Sequence, residues 1–157
     1  MIFNILFILA LVASVWCAVQ ISVADFRRRI IPDAYLFPLM IMGLFVVVFS
    51  DWIIDVRSAV IGAAFGYGLA AFVGATFDYI RRRHNSDADI PIGMGDIKLM
   101  GVGGIWLGVN GMAITLVIAC ITGVLWGYFR KQKFIPFAPF FLFGGFLSLI
   151  IMKFLIL

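Results

Sequence analysis

Charge-free apolar stretches dominate the chain, and their lengths set its outline. Five of them cover residues 1–24, 34–50, 58–77, 99–129 and 134–152. The first is interrupted only by the polar residues Asn4, Ser14, Gln20 and Ser22. A helix crosses the bilayer core with about 20 apolar residues, so four of the five stretches fit one span each. The fourth, with 31 residues, exceeds one comfortable crossing and falls short of two. Asn110 and Gly111 offer a break inside it. The pattern thus predicts six spanning helices. The fourth helix is short and rich in glycine, carrying Gly101, Gly103, Gly104 and Gly108. At about 1.5 Å per residue it reaches across only by recruiting residues before Leu99, which draws Asp96 toward the apolar layer. Small residues let helices approach closely, so this helix belongs inside the bundle.

Composition narrows the class. Of 157 residues, 64% are apolar and 13% charged, and the mean hydropathy is +1.15. Soluble domains are about 45–50% apolar and about 25% charged, so a water-soluble globule is excluded. No space remains for a second soluble domain, and residues 1–157 read as a single all-α, polytopic membrane domain. The N-terminal stretch carries no Lys or Arg, which predicts a retained helix rather than a cleaved signal peptide.

Charge sets the orientation. Six helices place loops one, three and five on one side of the membrane. Those loops and their edges carry Arg27, Arg28, Arg29, Arg81, Arg82, Arg83, Lys98, Arg130, Lys131 and Lys133. Only Arg57 and Lys153 fall on the other side. Such a bias predicts basic loops in the cytoplasm and both termini outside. The net charge of +4 therefore reports topology and the lipid bilayer rather than nucleic acid. Cys17 and Cys120 stand apart, with no CxxC pair and no His at ligand spacing, so neither zinc nor a disulfide framework is expected. His84, within Arg81-Arg82-Arg83-His84-Asn85, reads as a solvated loop residue.

All eight acids are Asp, and most have plain explanations. Asp51 and Asp55 sit in an outer loop, and Asp78 follows helix three. Asp87 and Asp89 belong to a polar cytoplasmic loop, where they either attract a basic segment or are simply solvated. Asp33, after Pro32, is placed to cap helix two. Asp25 and Asp96 differ, because each lies at the cytoplasmic edge of an apolar helix. Taken singly, Asp25 can pair with Arg28 or Arg29, and Asp96 can cap helix four. Taken together, two carboxylates at a partly dehydrated site favour sharing a proton. The ionised partner can take a proton from water attacking a peptide carbonyl, while the protonated one hydrogen-bonds the carbonyl oxygen. Gly93 and Gly95, lacking a Cβ, would let an extended substrate backbone come close. Lys98 suits either substrate binding or anchoring at the interface. Pro136 and Pro139 can shape a substrate groove or simply start a helix.

The segment Asp25-Phe26-Arg27-Arg28-Arg29-Ile30-Ile31-Pro32-Asp33 resembles the DxRxxxIPN word of the short type IV prepilin peptidases, which are aspartic membrane proteases. Gly93-Met94-Gly95-Asp96-Ile97-Lys98-Leu99 resembles their GxGDxKL word, and Ile135-Pro136-Phe137-Ala138-Pro139-Phe140 is similar to the Pro-x-x-Pro approach to their last helix. The resemblance implies a GxGD-type protease bundle with catalytic aspartates Asp25 and Asp96 and no cofactor. It implies a prepilin or pilin-like substrate with a hydrophobic N-terminal helix, cut at the cytoplasmic face of the inner membrane. Asp33 departs from the family's usual Asn. Longer relatives carry an N-terminal region with paired cysteines and methylate the new pilin N-terminus. Neither feature is found in this sequence, so cleavage without methylation is expected. The compact form is most similar to the tight-adherence, or Flp, pilus peptidases. Nothing in the residues speaks to oligomeric state. Two other functions compete: a small proton- or ion-coupled transporter, which would hold its acids near mid-span, and a noncatalytic subunit of a pilus or secretion machine, which would tolerate carboxamides.

Overall fold

A computed structural model describes residues 2–50, 52–84, 92–131 and 135–156. Among these residues the chain is helical without strands, in five elements: α1 (Ile2–Arg28), α2 (Asp33–Phe49), α3 (Val56–His84), α4 (Met94–Arg130) and α5 (Ala138–Ile156). Asp51, Asp87, Asp89 and Lys133 lie outside the described residues, as do the side chains of Arg81 and His84. Helices α1, α3 (over Val56–Ile80) and α4 are long and apolar enough to cross a membrane, and α2 and α5 are shorter apolar helices. The chain is an integral membrane protein built as a helical bundle. Its outer faces are correspondingly apolar: on α1, Val12, Val15, Trp16 and Val19 are all more than half exposed.

Helix α4 is two antiparallel arms. Gly108 interrupts it at φ 62°, ψ −174°, a conformation essentially confined to glycine. On a straight helix Met100 and Met112 would stand about 18 Å apart. Instead the Met100 carbonyl and the Met112 Cε crowd the same spot beside Gly66. Residues 94–107 therefore run one way and 109–130 return, giving six helical rods. The break falls at Gly108 rather than at Asn110 and Gly111, which continue the second arm. Sequence proximity marks a region of weak helix, but the positive φ selects the one glycine that turns.

The first arm of α4 is the buried rod, as its glycines predict. Gly104 fits against the backbone of Gly62 on α3, where an added Cβ would overlap the Gly62 carbonyl. Close glycine contacts of this kind pack helices in lipid, where no hydrophobic drive separates protein from solvent. Helix α4 packs against α2, α3 and α5, while α1 packs backbone to backbone against α2 and α5 and reaches α4 through side chains such as Phe26 on Trp126. The backbones of α1 and α4 thus face each other diagonally across a ring of α1, α2, α4 and α5 without touching. On α1, Ser14, Cys17, Ile21 and Asp25 form the buried stripe that looks into this ring.

Helix α3 continues through Asp78 to His84, beyond its charge-free stretch. Asp78 pairs with Arg82 one turn on at 3.0 Å, so both belong to helix rather than loop. Arg27, Arg28, Arg29, Arg82, Arg83, Lys98, Arg130 and Lys131 gather at one end of the bundle, and Arg57 and Lys153 lie at the other.

Candidate active site

Asp25 sits in the last turn of α1. The helix stops when Arg29 takes a left-handed conformation (φ 53°) and its N–H closes on the Asp25 carbonyl at 2.9 Å. The Asp25 side chain is 5% exposed and points inward on the stripe begun by Ser14. Its Oδ2 accepts the Ala138 N–H at 2.8 Å, and its carboxylate also accepts the Phe137 N–H. These groups begin α5, where backbone donors lack intrahelical partners. Pro136 and Pro139 have no N–H, so the only two donors between them are the two that meet Asp25. That is a physical reading of the Pro-x-x-Pro word, and it was invisible in sequence because the acceptor lies on a different helix.

Asp96 is half-buried in the first turn of α4. Gly93 precedes the helix with extended backbone (φ −67°, ψ 147°), and the Asp96 carboxylate accepts the Gly93 N–H. This is the returning half of a capping box. Asp25 and Asp96 interact electrostatically across the interior of the ring. The structure thus brings the two aspartates to the same end and the same interior. Beside them Phe26, Trp126 and Phe140 form an aromatic trio, with ring centroids 5.9 to 6.4 Å apart, that bridges α1, the second arm of α4 and α5.

The remaining residues of the two words pack on one another. An added Cβ on Gly95 would come within 2.9 Å of the Ile31 Cβ, and Ile31 is buried. Gly95 therefore admits Ile31, not substrate. Among the described residues, Gly93 has only Asp96 Oδ2 nearby, at 3.4 Å from an ideal Cβ. Asp33 does not cap α2: Pro32 occupies the cap position and no side chain closes it. The Asp33 carboxylate instead takes Lys98 Nζ at 2.7 and 3.0 Å. A cap satisfies neighbouring N–H groups locally, whereas this pair spans two helices, and a full ammonium outcompetes a backbone dipole for the carboxylate. Lys98 is held by Asp33, and two residues of helix turn it about 200° away from Asp96.

Pro136 is buried, and with Phe137 it lines an apolar cleft of about 200 Å³ against Ala119 and Gly123 of α4. A larger groove of about 300 Å³ opens between α2 and α3 onto Gly101 and Ile105. It lies on the face of α4 away from Asp96, so its size does not make it the chemical site.

Comparison with known proteins bears on the whole arrangement. The sequence profile of the Type IV leader peptidase family matches residues 5–128. The chain is 32% identical over 145 residues to a prepilin leader peptidase/N-methyltransferase of Burkholderia pseudomallei, covering 87% of this chain and 45% of that one. It is 31% identical over 139 residues to the protein of that name from Escherichia coli (82% and 57%), and 27% over 149 residues to that of Pseudomonas putida (90% and 49%). The chain spans about half the length of the curated relatives it matches. No solved structure matches it.

Proposed function

This chain belongs to the type IV leader peptidase family, and from that premise we propose that it is a membrane aspartic endopeptidase removing the short leader from prepilins or pilin-like proteins. One observation carries the reading: Asp25 and Asp96, distant in sequence, come within electrostatic reach of each other at one end of the bundle. Asp25 is held through Oδ2 by the Ala138 N–H, and in this reading the attacking water lies between its carboxylate and that of Asp96. The pair shares one proton. The unprotonated carboxylate removes a proton from water as its oxygen bonds to the scissile carbonyl carbon, and the protonated carboxyl donates to the carbonyl oxygen. Collapse of the tetrahedral intermediate breaks the C–N bond, and the departing amine takes a proton from the dyad. The products are the leader's carboxylate and the mature chain's free amine, with no acyl-enzyme. Gly93 is the glycine along which substrate backbone passes, and the Pro136 and Pro139 segment shapes the opposite wall.

The basic end is cytoplasmic in this reading, the membrane is the inner membrane, and both ends of the helical array lie outside. The substrate's apolar helix stays in lipid while its leader junction reaches the dyad. A tight-adherence (Flp) prepilin is the first substrate to test. A transporter would need carboxylates near mid-span, whereas both acids sit at one end. The test is co-expression with a candidate prepilin in membranes, comparing the parent with Asp25→Asn and Asp96→Asn at matched protein levels. Leader removal by the parent, lost in both variants, is the expected result; removal persisting in either variant rejects the dyad.

A further inference from the structure

The backbones of α1 and α4 do not touch, and the side-chain contact between Phe26 and Trp126 reaches the second arm of α4 rather than the arm that carries Asp96. The spacing between Asp25 and Asp96 must come from elements bridging the two. One is the start of α5, which donates to Asp25 and packs through Phe140 on Trp126 of the second arm of α4. The other is the link between α1 and α2, whose two ends are fixed: Arg29 is left-handed and Pro32 is extended at φ −73°, ψ 124°. This link sits directly on the start of α4, with Ile31 filling the space over Gly95 and Asp33 gripping Lys98 through both oxygens. The grip is two residues from Asp96 on one side and a short stiff link from Asp25 on the other.

Resting on the peptidase reading above, we propose that Asp33 and Lys98 are positioning residues: their ion pair latches the α1–α2 link to α4 and so sets the separation of the two catalytic aspartates. The pair is partly exposed, its side chains 46% and 37% accessible for Asp33 and Lys98 respectively. Ion pairs so exposed add little to stability. Their value lies in geometry, because misplacing a reacting group by about 1 Å costs on the order of 10²-fold in rate. A latch of this kind acts on kcat and leaves substrate capture in the membrane largely alone.

The test uses the full chain in membranes with a prepilin, measuring kcat and KM as substrate density varies, alongside the thermal midpoint in detergent. Asp33→Ala and Lys98→Met should each lower kcat by about 10- to 100-fold, the range set by misplaced reacting groups, with KM and the midpoint nearly unchanged. Asp33→Asn keeps an acceptor oxygen and should retain most activity. The exchange Asp33→Lys with Lys98→Asp should recover most of the rate lost in the single variants. Full kcat in Asp33→Ala, a lowered midpoint with unchanged kcat per folded molecule, or an exchange no better than the single variants would each overturn the latch. An inactive parent would instead overturn the peptidase reading, and the latch with it.

Discussion

The two ends of this bundle spend their hydrogen-bonding groups in opposite ways. At the end away from the acids, polar groups bond among themselves: Trp52 Nε1 donates to the Trp106 carbonyl and Trp106 Nε1 to the Leu39 carbonyl, each at 3.1 Å. The two indoles meet edge to face at 5.7 Å, and Gly43 leaves the space in which Trp106 lies. Ser148 and Thr115 both donate to the Gly111 carbonyl just after the turn at Gly108. At the other end, backbone N–H groups of Phe137, Ala138 and Gly93 go to carboxylates from or beside different helices. One end is closed by neutral donors and apolar rings. The other concentrates charge that must be held in place by long-range contacts. The contrast separates what holds the bundle together from what performs chemistry, since buried charge is expensive and is kept where it acts.

The largest effect should come from breaking the charged end while sparing the closed one. Asp25→Asn keeps an oxygen for the Ala138 N–H, so the fold should survive while prepilin cleavage falls by roughly 10²–10⁴-fold, the scale of a lost acid–base group. A thermal midpoint equal to the parent's is part of that expectation. The converse variant is Gly108→Ala, which forces a Cβ into a glycine-only conformation and to within 2.5 Å of Ser58 Oγ. It should cost about 1–3 kcal/mol in stability, read as a lower midpoint, with activity per folded molecule preserved. Trp106→Phe removes the bond to Leu39 and should cost about 1 kcal/mol, again without changing the cleavage rate of folded protein. Smallest of all is Asp78→Asn, which removes an exposed pair within α3 and should shift stability by less than about 0.5 kcal/mol. A cleavage defect in Trp106→Phe would blur the separation of the two ends.

Several features of the site show where a sequence stops being legible. Asp33 read as a cap because capping is decided by adjacent residues, and its actual partner, Lys98, is 65 positions away. Gly93 and Gly95 looked equivalent until Ile31 filled the space beside one of them. The Pro-x-x-Pro word showed two missing donors but could not show that the two donors left between them converge on Asp25, 113 positions earlier. The weak stretch within residues 99–129 was evident, yet the turn came at Gly108 because the fold required a positive φ there.

By itself the sequence determined the apolar rods, the buried glycine-rich arm, the clustering of basic residues and the two acidic words. These depend on burial in lipid, helix rise and local spacing, all of which are written along the chain. Only the tertiary structure decided which donors hold each aspartate, which glycine admits Ile31 and which lysine is already taken. Such pairings join groups remote in sequence, and their energies depend on a distance and an angle that exist only once the helices have packed.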